Sequence, residues 1–297
     1  MSSPTKSPER YIGRFAPSPT GPLHFGSLVC ALGSYLDAVA HGGHWLVRME
    51  DLDPPREMPG AAERILHALE AHELHSQRPI EWQSRRHHLY LNALEQLREK
   101  SLIYPCGCTR DQIRRAGGHR RSDCLQNPPS LATPSALRFR SEGEEEHFQD
   151  LWHGAQTQRT AEDPILKRKD GLYAYQLAVV VDDIEQGVNC VVRGADLLDC
   201  TGVQRQLFRA LGTEPPTYGH LPLVMNETGQ KLSKQNHAEA LDDTRATGNL
   251  IQALRFLGFH TPAELSLERP RHLLAWAAAR WQRHQVDQRN RLLDQKH

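Results

Sequence analysis

RFAPSPTGPLHFGS, residues 14–27, is the stretch on which the fold turns. It completes a short strand-like run, YIGRFA at 11–16, passes through the turn chemistry of PSPTGP at 17–22, and opens a helix near Gly26 and Ser27. Beyond it, SLVCALGSYLDAVA carries Leu28, Leu32, Tyr35, Leu36 and Val39 at helical spacing, and Gly42 with Gly43 supplies the stop. HWLVRME then reads as a second strand ending in acids. Strand, helix and strand in so short a span make a βαβ unit, which predicts an α/β protein with a Rossmann-like parallel sheet and a site at the carboxyl ends of its strands. The unpaired N–H groups and positive end of that helix face the turn, which makes it an anion site. His24 can donate to a phosphate oxygen, Gly26 permits close approach of an adenine or ribose, and Ser27 can cap the helix or touch the ligand. A plain strand–turn–helix with a capping serine fits the short motif equally well.

Further out, helical spacing recurs over 60–75 and 84–100. Residues 101–135 hold a cysteine cluster, paired glycines and Pro128–Pro129, the composition of an insertion with its own staple. The EGEEEH run that follows reads as a solvated loop. Strand-like apolar runs return at 172–181 and 188–193, a helix fits 201–211, and the sheet closes near LPLVM at 221–225. A helical tail with Leu250, Leu254 and Leu257 on one face runs to the end. The expected organisation is a mobile polar leader at 1–10, a catalytic domain at 11–100 and 136–235, a zinc-type insertion at 101–135 and a helical region at 236–297.

The 297 residues are 38% hydrophobic and 24% charged, which fits a globular protein and excludes collagen, coiled coil and outright disorder. The longest aliphatic run, residues 177–181, is far short of the roughly 20 residues that span a bilayer. MSSPTKSPER has no apolar signal core, so the cytosol is the expected compartment. Lys and Arg number 36, as do Asp and Glu, which argues against holding nucleic acid by bulk attraction and leaves room only for a local patch. No function follows from the 17 histidines.

GQKLSKQ at 229–235 places Lys231 and Lys234 around a serine in a glycine-led loop. Such a loop can bring both ammonium groups over a triphosphate and neutralise charge that grows on leaving pyrophosphate. A K-x-x-K loop alone is usually solvated surface; paired with the first motif, in this order, it is specific.

The two stretches resemble the signatures of class I aminoacyl-tRNA synthetases: HFGS at 24–27 stands where the family has HIGH, and KLSKQ at 231–235 where it has KMSKS. RFAPSPTG, LVRMEDLDPPR at 46–56, YQLAVVVDD at 175–183 and VVRGADLL at 191–198 resemble the glutamyl branch. Only 62 residues follow Gln235, too few for a full anticodon-reading half, so the likeness is strongest to the truncated glutamyl paralogues of the glutamyl-queuosine type. The resemblance implies ATP with Mg²⁺, formation of glutamyl adenylate, and transfer of L-glutamate to queuosine in the anticodon of tRNA(Asp) by a monomer. It puts Arg14, Phe15, Ala16, Pro17, Ser18, Glu50, Tyr175 and Arg193 around the amino acid, and His24, Gly26, Ser27, Lys231 and Lys234 around the nucleotide. Chemistry agrees with this: the planar forks of Arg14 and Arg193 suit carboxylates, and Glu50 suits an ammonium. Asp51 and Asp53, ahead of a double proline, read as turn formers.

Cys106, Cys108 and Cys124 offer three thiolates where a structural zinc takes four ligands. The resembled proteins place a tyrosine between the pair and the last cysteine; the counted position here is Arg120, which stays protonated and cannot ligate. His119 is the neighbouring substitute, with water or Asp123 less suited, and loss of the metal remains the other reading. Arg114, Arg115, His119, Arg120, Arg121, Lys167, Arg168 and Lys169 are candidates for RNA contact, while Trp276 and Trp281 read as core. The competing functions are a shortened glutamyl-tRNA synthetase charging the 3′ end of tRNA(Glu), a nucleotidyltransferase acting on a small molecule, and an inactive RNA-binding module.

Overall fold

The structure, a computed structural model, describes residues 10–119, 121–130, 133–141, 143, 145–160, 162–226, 229–232, 239–289 and 291–292. The opening unit is β1 (Ile12–Phe15), α1 (Phe25–Ala40) and β2 (His44–Met49), with the strands parallel from Ile12 opposite His44 to Phe15 opposite Val47. α2 (Ala61–Ala71) leads to β3 (Glu81–Trp82), which extends this sheet in parallel, and α3 (His87–Glu99) follows.

The insertion begins with β4 (Ile103–Cys106), α4 (Arg110–Arg115) and α5 (Arg121–Gln126), and returns to the body through β5 (Ala136–Phe139). A hairpin of β6 (Glu145–Asp150) and β7 (Gly154–Arg159) comes next, then β8 (Ile165–Lys167), which joins β4 and β5 in an antiparallel sheet. α6 (Tyr175–Gln186), β9 (Cys190–Gly194), α7 (Thr201–Ala210) and β10 (Thr217–Leu221) complete the second half. β10 runs parallel to both β6 and β9, giving the order β7–β6–β10–β9. Asn189, just before β9, ties the halves together: its backbone N–H donates to Ile12 O at 3.1 Å and its side-chain oxygen accepts from Ile12 N at 2.8 Å.

After β11 (Val224–Met225) come α8 (Ala246–Phe256) and α9 (Pro270–Ala278), whose apolar faces pack on α1. Leu28, Leu32 and Leu36 share one core with Leu250, Leu254, Leu257 and the buried Trp281, so the tail completes the interior. A second core joins α3, α6 and α7. Among the described residues no helix is long and apolar enough to cross a membrane.

Three sequence expectations are corrected. The run at 172–181 is mostly the start of α6, because its valines are buried on all sides and so lack a helical stripe; the helix ends at Gly187, whose φ of +70° suits glycine. The acidic run continues into β6, where burial alternates: Glu146 turns inward to Arg205 at 3.3 Å and to Arg209, while Glu145 and His147 face out. The tail is not helical throughout, since β12 (Arg291–Leu292) returns to pair with β11.

Candidate active site

The turn after β1, the first turn of α1, the end of β2, the start of α6, the end of β9 and the residues after β11 enclose a cavity of about 520 Å³. Arg14, Phe15, Ala16, Pro17, Ser18, His24, Gly26, Ser27, Glu50, Tyr175, Arg193 and Lys231 all line it. Lys234 lies outside the described residues. Backbone bonds hold the walls: Glu50 N donates to Pro17 O at 2.9 Å, Leu232 N to Val224 O at 2.8 Å, and Leu241 N to Leu23 O at 2.9 Å.

The helix cap is not the one that serine chemistry suggests. His24, with extended backbone at φ −116° and ψ 171°, caps α1, and its Nδ1 accepts from Ser27 N at 3.3 Å. That bond makes Nδ1 an acceptor and leaves the ring proton of a neutral imidazole on Nε2. A Cβ on Gly26 would sit 3.2 Å from both Nδ1 and Cε1 of His24, so glycine here makes room for the capping ring. Lys231 reaches across to Asp196, the residue after Ala195 in the RGAD turn, at 2.6 Å.

Beneath the cavity floor lies a buried charge network. Arg14 Nε donates to Asp183 at 3.2 Å, and Arg48 Nη1 lies 2.8 Å from the same carboxylate. Asp182 accepts from Arg86 Nε at 2.6 Å, Gln83 at 2.7 Å and Tyr90 OH at 2.9 Å. Burial alone would raise the pKa of Asp183, but Arg14 and Arg48 outweigh it and hold it below the usual range. Glu50 is treated differently. Its Oε1 is buried without a hydrogen-bond partner, and Arg48 Nη2 stands off at 3.6 Å. Burial pushes its pKa up to about 7 against the pull of Arg48 and Arg14.

Arg193 is buried too, and its acceptors are neutral: His220 Nε2 at 3.1 Å, Gln204 Oε1 at 2.8 Å, Thr201 Oγ1 at 2.9 Å, Leu197 O at 3.2 Å and Tyr175 OH at 3.3 Å. No carboxylate among the described residues pairs with it. The cavity therefore presents a fixed cation without a carboxylate partner among the described residues and a carboxylate oxygen without a hydrogen-bond donor, an arrangement suited to the carboxylate and ammonium of an amino acid.

Sequence reasoning missed the supporting charges Arg48, Asp182 and Asp183, together with Asp196 and His220. Asp182 and Asp183 lie just beyond the run at 172–181 read as a strand, a reading that hides the helical period by which α6 buries both.

In the insertion, Cys106 Sγ and Cys124 Sγ each lie 3.4 Å from His119 Nε2, and Cys124 Sγ lies 3.5 Å from the sulfurs of both Cys106 and Cys108. All four ligand atoms fall within 4.8 Å of one another. Thiolates about 2.3 Å from a tetrahedral zinc stand about 3.8 Å apart, so this Cys₃His set fits a metal ion. Burial lowers the His119 pKa, which favours the neutral ligand form. Arg120 lies outside the described residues. Several RNA-contact candidates are engaged within the protein: Arg121 with Asp163, Arg114 and Arg115 with Asp111, Arg168 with Asp170 at 2.6 Å, and Lys169 with Gly107 O at 2.7 Å.

Residues 12–268 match the family model for the catalytic domain of class I tRNA synthetases (E and Q). The chain belongs to that family. Among its members it is 50% identical over 280 residues to a Glutamyl-Q tRNA(Asp) synthetase of Vibrio cholerae, covering 93% of this chain and 92% of that protein. It is likewise 50% identical over 283 residues to one of Salmonella typhi, covering 91% of this chain and 92% of that one. A crystal structure of a glutamate tRNA ligase from Elizabethkingia meningosepticum in complex with its amino acid superposes with a TM-score of 0.78 at 23% identity, over 96% of this chain and 67% of that one. That likeness shows the shared synthetase fold.

Proposed function

We propose that this protein activates L-glutamate with ATP and transfers it to queuosine in tRNA(Asp). The observation that carries the glutamate reading is the pairing, in one cavity, of Arg193 without a counter-ion and Glu50 with an unpaired buried oxygen. The relatives' shared name supports the acceptor.

In the first step the α-carboxylate oxygen of glutamate bonds to the α-phosphorus of ATP, and the bond to pyrophosphate breaks. In the second, a hydroxyl of the queuosine cyclopentenediol attacks the acyl carbon, loses its proton and releases AMP. No protein nucleophile is needed; alignment and charge stabilisation do the work. Glu50 holds the substrate ammonium, while Arg193, Tyr175 and Arg14 orient its carboxylates beside residues 14–18. His24 offers Nε2–H to the phosphates above the first turn of α1, Gly26 and Ser27 flank the nucleoside, and Lys231 with Lys234 meets the departing pyrophosphate. Lys231 must leave Asp196 to do so. Bound Mg²⁺ would neutralise phosphate charge, and zinc on Cys106, Cys108, His119 and Cys124 would fold the insertion. ATP, glutamate and tRNA meet in the cytoplasm, the compartment we assign.

ATP–pyrophosphate exchange tests the first step: it should require L-glutamate and fall by orders of magnitude in Lys234→Ala. Exchange driven by another amino acid would overturn the pocket. Radiolabelled glutamate should enter tRNA from queuosine-making cells and not tRNA from cells lacking queuosine; equal labelling would favour charging of a tRNA 3′ end.

A further inference from the structure

Behind Arg193 lies a second buried pair that does not itself line the cavity. Asp150, at the end of β6, and His220, in β10, are both fully enclosed, with Asp150 Oδ2 2.6 Å from His220 Nδ1. The other carboxylate oxygen, Oδ1, accepts the backbone N–H groups of Trp152 at 3.0 Å, His153 at 3.0 Å and His220 at 3.3 Å. Both oxygens are therefore committed as acceptors, and Nδ1 of the imidazole must carry a proton. Its other nitrogen, Nε2, accepts from Arg193 Nε at 3.1 Å. Arg193 can only donate, so Nε2 must be bare. One tautomer satisfies both ends.

We infer that Asp150 and His220 are positioning residues: through that single tautomer they set the Arg193 guanidinium for the substrate carboxylate. The inference rests on the glutamate reading of the cavity. Burial and the nearby Arg193 keep His220 neutral against the pull of Asp150, with His153 and the Tyr218 ring as its other titratable neighbours. Neither residue itself lines the cavity; His220 reaches it only through its hydrogen bond to the lining residue Arg193, and Asp150 only through His220.

Asp150→Asn separates this role from simple packing. The backbone donors retain Oδ1 of the amide, which places its NH₂ against His220 Nδ1. The ring must then accept there and carry its proton on Nε2, which can no longer accept from Arg193 Nε and has Thr201 Oγ1, at 3.2 Å, as its acceptor. The expected result is a KM for glutamate raised about tenfold or more, the worth of one hydrogen bond to a charged group, with kcat and the KM for ATP within about twofold of wild type. His220→Gln, which keeps an acceptor and a donor on one side chain, should recover most of the glutamate affinity that His220→Leu loses. An unchanged glutamate KM in Asp150→Asn, or a parallel rise for ATP, would overturn the positioning role. Nitrogen-15 spectra of wild-type imidazoles give a test that needs no variant to fold: His220 should be protonated on Nδ1 alone, and a proton on Nε2 would refute the relay. Wild type that exchanges pyrophosphate without requiring glutamate would instead sink the cavity reading itself, whatever the tautomer.

Discussion

Arg283 clamps Asp37 with two parallel hydrogen bonds, Nε to Oδ1 at 2.8 Å and Nη2 to Oδ2 at 2.9 Å, across 246 positions of sequence. Tyr11 OH at 2.7 Å and Trp281 Nε1 at 2.9 Å donate to the same carboxylate, which is wholly buried in α1. The helix that presents its first turn to the cavity is thus held at its far end by the segment after α9.

Removing the clamp leaves a buried carboxylate short of its cation, so Arg283→Leu should destabilise the fold by about 3 kcal/mol or more in urea unfolding. Burial would raise the Asp37 pKa, but the Arg283 and Tyr11 hydrogen bonds outweigh it and lower the value. A lowered folded pKa gives stability that is present above the unfolded value of 3.8 and is lost as pH falls through the folded one. Wild type should therefore weaken in acid more steeply than Arg283→Leu does.

Glu50 carries the opposite sign. With its pKa pushed up to about 7, the empty site holds a proton that the unfolded chain has released, so Glu50 costs stability as pH rises from the ordinary carboxylate range through 7. Ammonium binding needs the ionised form. The KM for glutamate should rise as pH falls below about 7, and Glu50→Gln should have a higher KM with that slope flattened. A wild-type KM level from pH 6 to 8 would remove Glu50 from the ammonium role.

Gly26→Ala places a methyl 3.2 Å from the ring that caps α1. Loss of the cap should cost about 1 kcal/mol of stability, seen in thermal unfolding. Exchange should lose about tenfold or more through a displaced imidazole, since a hydrogen bond to a charged phosphate is at stake. Full activity would mean that His24 tolerates the shift.

Elemental analysis should find one zinc per chain. His119→Ala should retain it more weakly against a chelator, with the insertion becoming the first region open to protease. Unchanged retention would remove His119 as a ligand.

The legible parts were those whose signals are local. β1, α1 and β2 follow from apolar spacing and glycine stops within forty residues, and residues 14–18, His24, Gly26, Ser27 and Lys231, singled out by their motifs, line one cavity. α6 was misread because burial on every side erases the helical period from LAVVV. Glu146 was misread because an acidic run looks solvated until α7 supplies Arg205 and Arg209 from some 60 positions away. The support of Arg193 was invisible for the same reason: Asp150 and His220 are 70 residues apart, and neither belongs to a motif.

The tail that closes the core also sets a timetable. Asp37 leaves the ribosome early, but Trp281 and Arg283 follow only after nearly the whole catalytic body has been made. During synthesis the cavity-lining helix waits without its anchor, so the activity proposed for that cavity should appear late in translation rather than grow with the nascent chain.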